Sequence, residues 1–437
     1  MPNPYLPGWE YIPDGEPRVF GDRVYVYGSH DRACSDSFCD TKLKVWSASI
    51  DNLNDWVCHG DIFHTRDDAD HTSDVDWTAN RLFAPDVVEK DGRYYLYAYI
   101  VNAKGCVAVS DRPEGPFELL SRYKYNIDNH HDDGIFIDPG VLVDDGRVYI
   151  YCGFQGSYMA EINTGNMYEI LDGTYKENII PVEAPFHFFE ACSPRKVGDT
   201  YYMIYSPQTG SRLVYATSQS PTGPFTYRGV IIDNGVDYPG GNNHGSICRI
   251  NGQWYIFYHR MTNGTIMSRR GCVEKIEILT DGSIPQVEMT SLGFEDALSP
   301  YRITQADIAC VLKGGCCITE KNPFTRVVAG ITDGCVIGYK YFDFGDDFTS
   351  RTMTFSATIN GMGSRGKIRI RIDDDTDGEE IGCCEFGPDG GVISATVKCV
   401  TGLHSVFLIV EDGFGGGFVD MFSGRHLFEL KSFVFMK

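Results

Sequence analysis

Hydrophobic and polar positions in the first three hundred residues follow a short repeat. A glycine turn is followed by a strand rich in tyrosine and β-branched residues, and an apolar run precedes the turn. The phrase occurs five times, at residues 21–27, 92–97, 146–151, 198–202 and 252–256. Two apolar runs joined by a short glycine turn predict a β-hairpin, so each copy predicts one hairpin.

The spacing of the copies indicates a larger unit. The marker tyrosines are Tyr25, Tyr95, Tyr149, Tyr202 and Tyr255, so successive markers lie 70, 54, 53 and 53 residues apart. Further strands and matching Gly-Pro turns at residues 112–117 and 220–225 complete the repeat. About fifty residues with about four strands are typical of a propeller blade. We therefore predict an all-β fold with a five-bladed β-propeller; an irregular β-sandwich with fortuitous repeats is the alternative.

The pattern changes after about residue 300. The blade phrase disappears, none of the five tryptophans lies there, and short alternating runs remain, as at residues 367–372 and 405–410. Alternating runs separated by Gly- and Asp-rich turns predict a jelly-roll-like β-sandwich. The expected domains are a propeller over residues 1–298 and a sandwich over residues 299–437.

Charge and cysteine content narrow the classes of partner and compartment. The 437 residues carry a net charge of −22, which disfavours nucleic acid and anionic membranes as partners. The N-terminus shows no basic start and no apolar run, so no secretion signal is expected. The 15 cysteines show no zinc-site spacing. Reduced thiols in a cytoplasmic protein are therefore the expectation.

Ionisable residues recur at one position of the repeat. Counting back 11 residues from the marker tyrosine gives Asp14, Ala84, Asp138 and His244, and counting back 12 in the fourth copy gives Glu190. Equivalent positions of a propeller face one another around its axis. Converging carboxylates raise one another's pKa, which leaves one group able to donate a proton and another able to accept one. Hydrolysis of an acetal needs that pair of groups. The alternative is that these acids have no catalytic role, because Asp and Glu are common beside turns.

Other polar residues fit the repeat less well. Asp86 is two residues out of phase and is expected to support the site from behind, while Glu16 is an alternative to Asp14. The run His130-His131-Asp132-Asp133 looks metal-like, but neighbouring side chains of a strand point opposite ways, so a loop is expected there.

Several phrases around these residues resemble glycoside hydrolase family 43, over about residues 1–295. They are Gly28-Ser29-His30-Asp31, Phe83-Ala84-Pro85-Asp86, Ile137-Asp138-Pro139, Phe188-Phe189-Glu190-Ala191 and Gly241-Asn242-Asn243-His244-Gly245. The resemblance implies that Asp14 is the general base, Glu190 the general acid, and Asp138 the residue that orients the acid and tunes its pKa. Gly15 departs from the family's usual proline after the base.

The resemblance also implies binding residues. Asp31 and Phe83 are expected at the sugar, together with Arg270, for which the adjacent Arg269 is the alternative. Independently of the resemblance, Trp77 is a candidate sugar platform near the mouth of the site. Phe38 is a further candidate platform, although packing is an equal explanation for both Trp77 and Phe38. His244 matches a histidine beside an ion or water in the propeller centre, with calcium as the candidate ion, and catalysis needs no cofactor.

The expected function is an exo-acting, inverting hydrolase that releases terminal α-L-arabinofuranosyl units from small plant-derived oligosaccharides. The alternatives are a β-D-xylosidase with the same chemistry and a non-catalytic propeller that binds glycans or proteins. Residues 338–342 and 401–404 resemble family 6 carbohydrate-binding modules, but no exposed aromatic pair can be placed there. The tail domain is therefore expected to be structural, and no oligomeric state is predicted.

Overall fold

The computed structural model describes residues 1–103, 105–122, 136–346, 349–414 and 424–437. Among these residues the chain is all-β: thirty strands and one 3₁₀ turn (Ala306–Ile308) are present, with no α-helix. Within the same ranges no helix is long and apolar enough to cross a membrane. All fifteen cysteines are free thiols, most of them buried. The run at residues 130–133 lies outside the described residues.

The first nineteen strands form five antiparallel sheets, in each of which neighbours in sequence pair with one another. The sheets are β1 (Glu16–Phe20), β2 (Arg23–Gly28), β3 (Lys42–Ser49) and β4 (Asn52–His64); β5 (Leu82–Lys90), β6 (Arg93–Ile100), β7 (Cys106–Ser110) and β8 (Glu118–Arg122); β9 (Gly140–Asp144), β10 (Arg147–Cys152), β11 (Tyr158–Ile162) and β12 (Lys176–Glu177); β13 (Phe188–Val197), β14 (Thr200–Pro207), β15 (Arg212–Ser218) and β16 (Thr226–Asp233); and β17 (Ser246–Ile250), β18 (Gln253–Thr262) and β19 (Thr265–Ile276).

The five predicted hairpins are confirmed. Each joins the first two strands of a sheet through its glycine, and Gly21, Gly92, Gly146, Gly198 and Gly252 all have positive φ, between 59° and 89°. Glycine suits these turns because a side chain disfavours that backbone conformation.

The first strands of the five sheets lie next to one another. Strand β1 contacts β5 and β17, β9 contacts β5 and β13, and β17 contacts β14. Buried polar contacts join them: Arg18 of β1 bonds Asp86 of β5 (Nε to Oδ1, 3.0 Å), and Arg195 of β13 bonds Glu16 of β1 (Nη2 to Oε2, 2.6 Å). Asp86 also accepts the N–H of Val141 of β9. Asp86, which was expected to support the site, therefore ties three inner strands together.

The remaining strands form two facing sheets. They are β20 (Thr304–Gln305), β22 (Cys317–Asn322), β23 (Thr325–Ala329), β25 (Thr352–Gly361), β28 (Gly390–Lys398) and β30 (Phe428–Met436) in one sheet, and β21 (Val311–Lys313), β24 (Val336–Asp343), β26 (Gly366–Ile372), β27 (Glu380–Phe386) and β29 (Leu403–Asp412) in the other. The two predicted alternating runs lie in β26 and β29. Apolar residues of both sheets share one core, as expected for a β-sandwich.

The sandwich packs directly on the fourth and fifth sheets of the first region. Its core is continuous with residues such as Tyr215 and Tyr258. The guanidinium of Arg260, fully buried, donates to the carbonyl of Ala309 at 2.6 Å, and the N–H of Leu312 donates to the carbonyl of Asp237 at 2.7 Å. The two regions therefore share apolar and polar contacts.

Candidate active site

A backbone feature recurs where the innermost strands begin. Asp14, Ala84, Asp138 and Ala191 all have positive φ, at 56°, 29°, 53° and 67°. These are the positions 11 residues before the first four marker tyrosines, so the repeat extends to backbone conformation in four of the five copies. Positive φ is costly for residues other than glycine and persists only where the surroundings enforce it. In the fourth copy the acid, Glu190, comes one residue before this position, beside a break in strand register.

The in-phase ionisable residues surround one cavity of about 480 Å³. Its polar lining includes three predicted catalytic residues, Asp14, Asp138 and Glu190, together with His244 and Arg269. The other lining residues are Phe38, Cys39, Phe83, Tyr99, Val101, Asn102, Ile137, Phe154, Phe189, Asn242 and Ile266. The volume lies in the usual range for small-ligand pockets, about 300–1,000 Å³.

Asp14 is held as a carboxylate. It is 4% exposed and accepts hydrogen bonds from Arg269 Nη1 at 2.7 Å and Ser29 Oγ at 2.6 Å. Burial raises the pKa of Asp14, but Arg269, His244, His259 and the Ser29 hydroxyl together lower it to about 2. An opposite charge in contact favours the ionised form, so Asp14 is available as a proton acceptor at neutral pH.

Glu190 and Asp138 have the opposite tendency. Burial and the negative charge of Asp14 raise the pKa of Glu190 to about 7, although Arg269 opposes the shift. Burial, Glu190 and Asp14 raise the pKa of Asp138 well above its usual value. The cavity thus holds one ionised carboxylate beside two carboxyl groups that retain protons at higher pH. Such divergence separates an acid from a base in one site.

The arginine at the cavity is Arg269, and the structure does not bring Arg270 there. Arg270 lies opposite Arg260 across β18 and β19, and its Nη1 lies 3.4 Å from Asp307 Oδ2. Cross-strand partners share a face, and successive residues of a strand face opposite ways. Arg270 therefore points toward the sandwich and Arg269 toward the cavity.

Asp31 lies behind that arginine. It is 1% exposed, does not line the cavity, and accepts Arg269 Nε at 2.8 Å and Nη2 at 2.9 Å. A carboxylate that grips a guanidinium at two points fixes its plane. Asp31 thus orients Arg269, whereas the sequence analysis expected it at the sugar.

The two predicted aromatic contacts differ. Phe83 lines the cavity, as does Phe38, whose ring lies 4.9 Å from the Arg269 guanidinium carbon. Trp77 does not line it; its ring lies 4.0 Å from the guanidinium carbon of Arg122 and packs against the core between the first two sheets. Trp77 therefore has a packing role in this structure, as the alternative interpretation of the sequence predicted.

His244 lies between the two aspartates. Its Nδ1 lies 3.9 Å from Asp14 Oδ1 and 3.8 Å from Asp138 Oδ2, and burial lowers its pKa. Glu16, the alternative to Asp14, does not line the cavity: its Oε2 pairs with Arg195, while Oε1 is buried with no partner among the described residues. The geometry therefore favours Asp14 over Glu16 as the residue facing the cavity.

Two residues that contact Asp14 were not predicted from the sequence. Ser29 bonds Asp14, and His259 Nδ1 lies 3.4 Å from Asp14 Oδ1. Ser29 occurs in the quoted phrase Gly28-Ser29-His30-Asp31, which was a usable signal. Nothing in the spacing singles out His259, which approaches Asp14 from the second strand of the fifth sheet.

Comparison with known proteins shows the family of the chain. The sequence profile of the glycosyl hydrolases family 43 matches residues 3–284. A xylosidase/arabinosidase of Thermoclostridium stercorarium is 42% identical over 93% of this chain and 95% of its own length. An arabinoxylan arabinofuranohydrolase of Paenibacillus polymyxa is 26% identical over 92% of this chain and 71% of its own.

Solved structures show the same similarity. A family 43 enzyme of Xanthomonas citri, complexed with xylotriose, superposes with a TM-score of 0.56 at 28% identity, over 69% of this chain and 97% of its own. A family 43 arabinoxylan arabinofuranohydrolase of Bacillus subtilis gives a TM-score of 0.56 at 24% identity and covers 100% of this chain and 97% of its own. The chain belongs to glycosyl hydrolase family 43 and is a glycosidase.

Proposed function

We propose that this glycosidase is an exo-acting, inverting enzyme that releases terminal α-L-arabinofuranosyl units from small plant-derived oligosaccharides. The observation that carries the proposal is the divergence of the carboxyl groups in one cavity: Asp14 is ionised, and Glu190 has a pKa of about 7. The relatives named for arabinosidase and arabinofuranohydrolase activity support the choice of sugar.

In the proposed reaction Glu190 donates its proton to the glycosidic oxygen as the bond from that oxygen to the anomeric carbon breaks. A water molecule attacks the anomeric carbon from the opposite face, and Asp14 takes the proton that the water loses. Glu190 ends ionised and Asp14 protonated, and exchange with solvent restores both. Arg269 keeps Asp14 ionised beforehand, and burial together with the negative charge of Asp14 keeps the proton on Glu190. Asp138, whose carboxyl group interacts with that of Glu190, is assigned to orienting the acid.

We further propose that the five sheets are the blades of a propeller over residues 1–298, and that residues 299–437 are a separate sandwich domain. The contacts among inner strands support closure of the propeller, with the link from β13 to β17 made by Arg195 Nε, which donates to the carbonyl of Ile247. A β-xylosidase of Xylanibacter ruminicola covers 64% of this chain with 97% of its own length, which supports an autonomous first domain. The continuous core at the junction favours a structural role for the sandwich, whose resemblance to family 6 carbohydrate-binding modules stays a prediction.

A structural calcium beside His244 is also proposed. The residues fit a hydrated cation, because the unpartnered carboxylate oxygen of Glu16 is buried and its charge acts on His244. Calcium prefers oxygen ligands, so His244 would reach it through water. The ion would supply positive charge that holds the channel residues in place.

Initial rates on 4-nitrophenyl α-L-arabinofuranoside and β-D-xylopyranoside test the function, with Asp14→Asn as the control for contaminating activity. We expect the arabinofuranoside to have the higher kcat/KM. A higher kcat/KM for the xyloside would show that xylose, not arabinose, is the preferred sugar, without changing the proposed roles of Asp14 and Glu190. Relatives named as xylosidases support this alternative. No turnover of either substrate, or of a linear or branched arabinoxylo-oligosaccharide, would contradict the proposal.

A further inference from the structure

Four side chains with metal-binding atoms meet outside the sugar cavity, where β4 ends. Asp61 and His64 belong to β4, and Asp68 and His71 to the loop that follows. Each contributes one nitrogen or oxygen atom, and these four atoms all lie within 4.8 Å of one another. The mechanism proposed above uses none of the four residues.

The cluster is partly organised by its own contacts. His64 Nε2 lies 3.4 Å from Asp61 Oδ2, and the rings of His64 and His71 stack with centroids 4.3 Å apart. In the loop the N–H of His71 donates to Asp68 Oδ1 at 2.8 Å, and the N–H of Asp68 donates to the carbonyl of His71 at 2.9 Å. This turn brings Asp68 and His71 to the same side, facing the strand.

A further carboxylate holds His64 from behind. Asp74 Oδ2 accepts the backbone N–H of His64 at 2.7 Å and lies 3.6 Å from its ring nitrogen Nδ1. Nδ1 is the ring nitrogen that does not face Asp61. Metal-binding histidines usually give their second nitrogen to a carboxylate or carbonyl, which fixes the ring and its tautomer. Asp74 is placed for this role, and a small approach of its carboxylate to Nδ1 would complete the hydrogen bond.

The donor set indicates the class of ion. Two imidazole nitrogens and two carboxylate oxygens suit zinc and its transition-metal neighbours, whereas calcium and magnesium prefer oxygen alone. Zinc bonds of about 2.0–2.1 Å place tetrahedral ligand atoms about 3.3 Å apart, so the present spacing needs a contraction of about 1.5 Å at most. Asp68 and His71 are on an exposed turn, where that movement is unhindered by a core.

From these contacts we infer that Asp61, His64, Asp68 and His71 bind one divalent transition-metal ion of the zinc class. Lys42 competes in the metal-free protein, since its Nζ lies 2.8 Å from Asp61 Oδ2. Its side chain is 27% exposed, so it can turn to solvent when the ion enters.

The ion would fasten a loop that leads to the sugar cavity. Residues 65–81 join β4 to β5, and the hydroxyl of Thr65 donates to the carbonyl of Asn80 where the two ends of this loop meet. Phe83, two residues beyond the loop, lines the cavity. Binding at one end of the loop would therefore stabilise the chain that presents Phe83.

Zinc titration of the full-length, tag-free, metal-stripped protein by calorimetry tests the site, with Co²⁺ absorption as a report on ligand geometry. We expect one zinc equivalent that is at least about a hundredfold weaker in His71→Ala, and about ten- to a hundredfold weaker in Asp74→Asn. His404→Ala is the matched control, because it removes another partly exposed histidine, 2.9 Å from Asp373.

No stoichiometric zinc binding by the wild type would overturn the inference, as would equal binding by wild type and both cluster variants. Thermal unfolding of each variant without metal checks that the fold is retained. Asp74→Asn keeps the four ligands and so tests the site even if His71→Ala is destabilised. The readout is metal affinity, so the inference stands or fails separately from the proposed glycosidase reaction.

Discussion

The cavity of the first region and the interior of the sandwich are built from the same kind of strand but bury different groups. In and beside the cavity, Asp14, Asp138, His244, Arg195 and Arg269 are all at most 9% exposed. In the sandwich no buried residue within the described ranges is charged, and the buried hydroxyls are those of Thr304, Tyr339, Ser356, Ser364 and Ser405. An uncharged interior is the ordinary solution for a stable domain.

The difference indicates where the chemistry lies. Removing a charge from water costs several kcal/mol, so a buried charge needs a partner, as Asp14 has in Arg269. A chain that needed only stability would fill the cavity as it fills the sandwich, with apolar side chains. The buried groups of the cavity instead include one ionised carboxylate, Asp14, and a carboxyl group that holds its proton, Glu190, which is the pair that glycoside hydrolysis requires.

The largest effect is expected from Glu190→Gln. The amide keeps the size of the side chain but has no acidic proton, so kcat on a natural oligosaccharide should fall about a hundred- to ten-thousandfold. Steady-state kinetics measure the loss, and thermal unfolding checks the fold. A substrate with a good leaving group should recover much of the rate. Near-normal turnover of an unactivated substrate would remove Glu190 as the acid.

Arg269 and Arg270 are neighbours in sequence, but one faces the cavity and the other faces the sandwich. Arg269→Lys removes the two-point contact with Asp31 and weakens the contact with Asp14. Because hydrogen bonds to charged groups are worth about 1.5–3 kcal/mol, kcat/KM should fall about ten- to a hundredfold. Arg270→Lys, which faces Asp307 of the junction, should change kcat/KM little. Equal losses of activity in both variants would contradict the assignment of Arg269 to the site.

The pH profile of kcat/KM follows from the two pKa values. Glu190 must be protonated and has a pKa of about 7, so activity should fall above about pH 7. Asp14 must be ionised and has a pKa of about 2, so no loss is expected between pH 7 and mildly acidic pH. Initial rates in buffers of constant ionic strength measure both limits. An activity that rises steadily above pH 7 would be inconsistent with these roles.

The smallest effect on activity is expected in the sandwich. Phe433 is 1% exposed and contacts the rings of Tyr339, Phe342 and Phe355, so Phe433→Ala should lower stability by about 3–5 kcal/mol. At a temperature where the variant is folded, kcat/KM should stay near the wild-type value. Phe83→Ala, at the cavity, should lower kcat/KM and change stability less than Phe433→Ala does. Denaturant unfolding and kinetics on both variants test the separation.

The repeat made much of this architecture predictable from sequence, because glycine turns and alternating apolar residues are local signals. The in-phase acids followed from the same count, and Asp14, Asp138, Glu190 and His244 do line one cavity. The choice between Arg269 and Arg270 could not be made in the same way. It depends on which face of β19 meets the sandwich, and that is set by the pairing of Arg270 with Arg260.

Other differences have the same origin in tertiary structure. Trp77 has the large aromatic ring that a sugar platform needs. Its position beside Arg122 depends on how the loop at residues 65–81 folds back on the first two sheets. Asp31 occurs in a phrase typical of the family, yet only the structure shows that Arg269 stands between it and the cavity. Sequence therefore identified these residues as notable without giving their contacts.

In the proposed reaction Asp14 activates water while Glu190 protonates the leaving group from the other side of the sugar. Inverting glycosidases hold their two carboxyl groups about 6.5–9.5 Å apart, and retaining ones about 5–5.5 Å apart. Proton NMR of the sugar released in the first turnovers, recorded before mutarotation, distinguishes the two mechanisms. We expect the inverted anomer to be formed first. If the first product has the anomeric configuration of the substrate, a covalent intermediate is formed and Asp14 is not a general base.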